Sequence, residues 1–201
     1  MPYGYLGVKP NQKVRNAGIL DVTDHSILAK EGHIQGGMDL IQSQTVSDVS
    51  SVAFTNIYED KYSVHYLQIY NYKPAESGTD YIGIRFYESG TLESSNVYKR
   101  VGQYGYYSGS FGENKSTGSY YMSTGIESAT TQDAGGHLYI YNAGNSSSYT
   151  FTTAQANNDS YSWYSSGVLP QASVVDGIYL YNADSGTSEN LSLTAKLYGI
   201  R

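Results

Sequence analysis

From residue 38 onward, apolar and polar positions alternate with a period of two, the spacing that sends successive side chains to opposite faces of a strand. The segments are "MDLIQSQ", "SVAFTNI", "YSVHYLQIYNY", "DYIGIRFYE", "HLYIYNAG", "SYTFTTAQ", "GIYLYNADSG" and "NLSLTAKLYGI". Turns rich in Gly, Asn, Ser and Asp separate them. Within "YSVHYLQIYNY", Val64, Tyr66, Ile69 and Tyr72 do not share one parity, which predicts a bulge or burial on both faces. A run of strands with no helical stretch between them predicts an all-β unit, an antiparallel β-sandwich of jelly-roll-like form. The echo between "LYIYNAG" and "IYLYNADSG" is explained by shared strand-turn grammar rather than by duplication.

Residues 1–37 read differently. "YGYLGVKPNQKVRNAG" has neither period and predicts an extended arm, followed by one short helix over "DVTDHSILAKEGH". Thr23 or Asp24 can cap that helix, Lys30 sits near its C-terminal end and Gly32 suits a left-handed terminator. Ile27, Leu28 and Ile34 form a stripe too narrow to support a domain, so the helix must lean on something else. The expected division is an arm over residues 1–37 and a sandwich over residues 38–201.

Composition adds one strong bias: 23 Tyr against 4 Phe and 1 Trp. Tyrosine suits half-buried strand positions and contact surfaces, where the ring is covered and the hydroxyl finds a partner. There is no cysteine, so disulfides and thiolate metal sites are excluded. The net charge of −6, with 12 scattered basic residues, argues against nucleic acid and against an anionic membrane surface. "MPYGYLGVKPNQ" shows no secretory pattern and no stretch is long enough to span a bilayer, so cytoplasmic synthesis without membrane insertion is expected. Asn114, Asn145, Asn158 and Asn190, each opening an N-x-Ser pattern, are then ordinary loop residues.

The chemistry-bearing residues point away from catalysis. His25, His33, His65 and His137 lack metal-ligand spacing, so no metal and no cofactor are expected. Glycan hydrolysis needs two carboxyl groups about 5–10 Å apart. Glu59 with Asp60, Glu88 with Glu93, or Glu113 could contribute, but acids in turns are normally solvated. No G-x-S-x-G, P-loop or dinucleotide fingerprint occurs.

Binding is the better expectation. Trp163 with Tyr161 and Tyr164 could form a platform for a sugar ring, although a lone tryptophan in a sandwich is more often a core or subunit anchor. The stretch "YGYYSGSFGENKSTGSYYMSTG", residues 104–125, reads as a long insertion between strands and a contact surface. Its candidates are Tyr104, Tyr106, Tyr107, Phe111, Tyr120 and Tyr121, together with Trp163.

The chain also resembles a family of small virion structural proteins of tailed phages of marine bacteria, cyanophages especially. The residues that carry the resemblance are "GYLGVKPNQKVRNAGILDVTDHSILAKEGHIQGG", "MDLIQSQTVSDVSSVAFTNI", "YSVHYLQIYNYKP", "YGYYSGSFGENKSTG", "SGVLPQASVVDGIYLYN" and "LTAKLYGIR". The resemblance covers most of the chain and implies a non-enzymatic subunit on the virion surface, a tail fibre or a head decoration. The arm would dock Leu6, Val8, Ile19, Leu20, Ile27 and Leu28 onto other virion proteins, and the sandwich would associate with copies of itself, as a homotrimer. A host-surface glycan is the alternative partner, with a glycan depolymerase behind it.

Overall fold

Among the described residues, thirteen strands account for most of Met38–Arg201, which forms a compact unit of its own in the computed structural model. The structure describes residues 37–75, 79–129, 131–183 and 189–200. The six arm residues Leu6, Val8, Ile19, Leu20, Ile27 and Leu28, and the expected short helix, lie outside them. Among the described residues there is no helix, and so none long and apolar enough to cross a membrane.

The strands are β1 (Asp39–Val49), β2 (Ser51–Thr55), β3 (Val64–Pro74), β4 (Thr79–Glu88), β5 (Thr91–Leu92), β6 (Tyr98–Tyr106) and β7 (Phe111–Ser119). They continue with β8 (Met122–Ala129), β9 (Ala134–Tyr141), β10 (Thr150–Asn157), β11 (Tyr161–Leu169), β12 (Val175–Asn182) and β13 (Leu191–Ile200). An eight-stranded sheet has the order β1-β13-β3-β9-β10-β11-β6-β7. A smaller sheet has the order β2-β12-β4-β5, with β8 also paired to β4. The strand pairs are antiparallel, and the inner faces of the two sheets meet in one apolar core, so the unit is an all-β sandwich.

Period-two alternation decides which side chains enter that core. Leu67 and Ile69 of β3, Leu138 and Ile140 of β9 and Leu193, Ala195 and Leu197 of β13 are buried, while their neighbours face outward. The parity break in β3 is a bulge. Asn71 adopts φ 56°, the register slips between Ile69 and Tyr72, and Tyr72 and Pro74 then turn inward in the opposite phase. Each of the eight segments with clear alternation is a strand.

Five strands fall outside those eight segments: β5 to β8 and β11. The expectation of a long loop over residues 104–125 is corrected accordingly. Those residues are the end of β6, a tight hairpin, β7 and half of β8. β7, "FGENKSTGS", is the edge of the large sheet and mostly exposed, so burial writes no apolar pattern into it. β8, "MSTGIESA", packs between β4 and the opposite sheet with small polar residues buried, Thr124 and Ser128 among them. Thr124 donates from Oγ1 to the Ile82 carbonyl at 2.9 Å, which satisfies its hydroxyl at that depth.

His65 is fully buried, with Nε2 2.9 Å from the Ile57 carbonyl and the Tyr62 ring edge-on beside it. Burial lowers its pKa, outweighing the opposing effects of the Ile57 carbonyl and Glu59. The folded state therefore holds a neutral imidazole while the unfolded chain takes up a proton first. Its contribution to stability is present above about pH 6.5 and is lost as pH falls below that value. Thermal melts at about pH 7.5, 6 and 5 should show this decline, and His65→Gln should flatten it relative to wild type. Parallel pH profiles for the two proteins would rule the histidine out as the cause.

Candidate functional site

Glycine placed opposite an aromatic ring is the local rule that shapes the region. On β6, "YKRVGQYGY" turns Tyr98, Arg100, Gly102 and Tyr104 inward, and on β11, "YSWYSSGVL" turns Tyr161, Trp163 and Ser165 inward. Trp163 pairs with Tyr104 across these two strands, and their rings stack at 4.7 Å with an interplanar angle of 10°. The indole fits because the backbone beside it is bare. A methyl group on Gly102 or on Gly125 would overlap its atoms. Gly125 moreover sits at φ 72°, a conformation that other L-residues adopt only with strain. Tyr104 in turn lies over its cross-strand partner Gly112, where a side chain would strike its phenol ring.

Around this stack, β6 itself, three further strands (β4, β7 and β8) and the turn before β8 add polar groups. Arg100 donates from Nη1 to Asn114 Oδ1 at 2.7 Å and from Nη2 to the Tyr121 hydroxyl at 3.2 Å, with its guanidinium 4.8 Å from the Tyr121 ring centroid. The Tyr121 hydroxyl donates to that of Tyr81 at 2.9 Å. On the opposite wall Tyr161 donates a short hydrogen bond to Glu127 Oε2. Burial, reinforced by that carboxylate, drives the Tyr161 pKa far upward, so the phenol stays protonated. Tyr106 closes the rim, edge-on to both Tyr104 and Tyr161. The result is a recess of about 260 Å³ with aromatic walls and several hydrogen-bonding groups. The Trp163 indole N–H is buried within the wall with no hydrogen-bond partner among the described residues.

Tyr104, Tyr106, Tyr121 and Trp163 of the expected contact residues line this recess, whereas Tyr107, Phe111 and Tyr120 stand exposed outside it. The expected platform of Trp163, Tyr161 and Tyr164 is split. Strand alternation sends Tyr164 to the outer face of the large sheet, while the other two point inward. None of Glu59, Asp60, Glu88, Glu93 or Glu113 reaches the recess. Glu113 pairs with Lys115 at 2.6 Å on the exposed edge. Glu88 accepts from Ser173, and Glu93 accepts from the Ser95 N–H at 2.7 Å, which holds its carboxyl below the usual range. Arg100, Asn114, Tyr81 and Glu127 escape a reading of the sequence. The alternation of β6 and β11 groups Arg100 with the inward rings, but nothing local in the sequence announces that β8 and β4 face them.

No protein-family model matches the chain, and no curated protein matches it. Among solved structures, an alginate lyase from Alteromonas sp. 272 is similar at 11% identity, over 85% of this chain and 93% of that one, with a TM-score of 0.23. A likeness so slight carries no argument about fold or activity.

The chain's single tryptophan reports on the stack directly. Gly125→Ala should cost about 3 kcal/mol or more, combining backbone strain with overlap against Trp163. Its emission should also move to longer wavelength as the indole is displaced toward water. Unchanged emission and melting in this variant would contradict the packing described.

Proposed function

We propose that this chain is a non-enzymatic phage virion protein displayed on the particle surface, whose sandwich recognises a host-surface glycan in the Tyr104–Trp163 recess. The virion setting rests on the sequence resemblance, which also makes the arm the attachment to other virion proteins. Recognition rests on one observation: aromatic and hydrogen-bonding side chains converge on a recess within a single chain, rather than waiting for a second copy to complete it.

The chemistry favours holding a ligand over transforming it. A recess of about 260 Å³ lies just below the range of about 300–1,000 Å³ common for small-molecule sites, which suits one sugar ring. Arg100, Asn114 and Tyr106 supply polar groups suited to sugar hydroxyls, and the ring surfaces suit sugar C–H groups. Glu127 is the sole carboxylate among the lining residues, so paired-acid hydrolysis has no second partner there. Tyr161, protonated and tied to Glu127, is a poor base.

A glycan array probed with the purified chain tests the reading. We expect a restricted set of hits that quench Trp163 emission on titration, and Tyr106→Ala or Asn114→Ala should weaken them about tenfold. An array with no hits, or affinities untouched by both substitutions, overturns it.

The assembly reading keeps support from a different feature. Phe111 is 88% exposed and Tyr107, in the same β6–β7 hairpin, is exposed as well, an arrangement suited to a contact between copies in the proposed homotrimer. Light scattering should then give an oligomeric mass that falls to the monomer for Phe111→Ser.

A further inference from the structure

The recess uses only the inward side of the eight-stranded sheet. On the outward side, strand register builds two parallel rows. Lys196, Gln68, His137, Gln155, Tyr164 and Gln103 stand opposite one another in successive strands from β13 to β6. Two residues along each strand, Tyr198, Tyr66 and Tyr139 form an adjoining aromatic row that continues into Thr153 and Ser166. Tyr66 ties the rows together, with ring centroids 5.0 Å from Tyr139, 5.5 Å from His137 and 6.0 Å from Tyr198. Gln155 reaches the Tyr164 hydroxyl at 3.3 Å.

We propose that this outward face binds an acidic polysaccharide, with the chain lying across the strands from β13 to β6. Shape supports a polymer. Strands about 4.8 Å apart place one hydrogen-bonding side chain per step over roughly 24 Å, an open strip rather than a pocket. Chemistry supports sugar: amides, an imidazole and a phenol for hydroxyls run beside tyrosine rings for the apolar ring faces. Charge supports an acidic chain. In the two rows, continued to β7, the single carboxylate is Glu113, already bonded to Lys115, while Lys196 opens the strip and Lys99 flanks it on β6. On a protein of net charge −6, these rows carry more lysine than carboxylate. A ligand with regularly spaced carboxylates meets little repulsion here and finds Lys196 and Lys99 as counter-charges, which a neutral ligand cannot use.

The test is native affinity electrophoresis of the full chain in gels containing polygalacturonate, hyaluronate or dextran sulfate, with dextran and methyl-esterified polygalacturonate as neutral counterparts. We expect retardation by at least one uronic-acid polymer, weakened by added salt, and about tenfold less for the neutral forms. Gln155→Ala combined with Tyr164→Ala, both on the surface, should reduce the effect about tenfold while leaving the melting temperature unchanged. Lys196→Gln should reduce its salt dependence. Retardation by none of the acidic polymers overturns the proposal, as does equal retardation by neutral ones or persistence in the double variant. Retardation by dextran sulfate alone also overturns it, because that shows charge without sugar recognition.

Discussion

One packing constraint organises the part of the molecule around the recess: a flat indole held between backbones that carry no side chains. Trp163 occupies space that Gly102 and Gly125 leave open, and Tyr104 stacks on it because Gly112 leaves the next space open. Remove any of these absences and the rings must tilt, taking with them the inward course of β6 and β11. The positive φ of Gly125 belongs to the same constraint. It accompanies the irregular pairing of β8 with β4, where Tyr81 and Gly83 span one register shift, and it keeps Glu127 opposite Tyr161. Much of the glycine content of this region therefore shapes the site rather than loosening the chain.

Alternation then divides labour between the two sides of one sheet. Adjacent residues serve opposite surfaces: Trp163 enters the recess and Tyr164 the outer strip, and Arg100 points inward while Val101 and Lys99 point out. A one-residue slip of β6 or β11 would exchange these sets, exposing the tryptophan and burying Gln103. Register is thus fixed from the inside by the ring stack, and the outer rows inherit their order from it. The edge strand β7 meets the opposite need. Its exposed charges Glu113 and Lys115, with its glycines and small polar residues, make it a poor template for uncontrolled strand addition.

What could be read in the sequence follows the same physics. Strands with one face in the core, such as β3, β9 and β13, carry the period of two, and even the bulge near Asn71 left its trace as a parity break. β7 is mostly exposed and β8 buries small polar groups, so both lacked the signal and the stretch from Tyr104 looked like a loop. Tyr104, Tyr106, Tyr121 and Trp163 could be grouped from the sequence because rings among glycines are unusual there, and they line one recess. Arg100 and Glu127 were not, since their meeting depends on how two sheets face each other across residues far apart in the chain. The split of Tyr164 from Trp163 was available from alternation alone.

The excess of tyrosine over phenylalanine has a structural reason that reaches beyond surface contacts. Tyr98 is fully buried, yet its hydroxyl accepts the Phe86 N–H at 3.0 Å and donates to the Glu93 carbonyl at 2.9 Å. Burial raises its pKa strongly, so it remains a donor. Replacing it by phenylalanine would fill the same volume and leave a buried amide without its partner, the costlier half of losing a hydrogen bond. Tyr161 with Glu127, and Tyr121 with Tyr81, repeat the device around the recess. A ring with a polar tip is thus packed in one orientation, where a purely apolar ring could turn. In a sandwich with no disulfide, that directionality is what lets aromatic side chains act both as core and as the walls of a site.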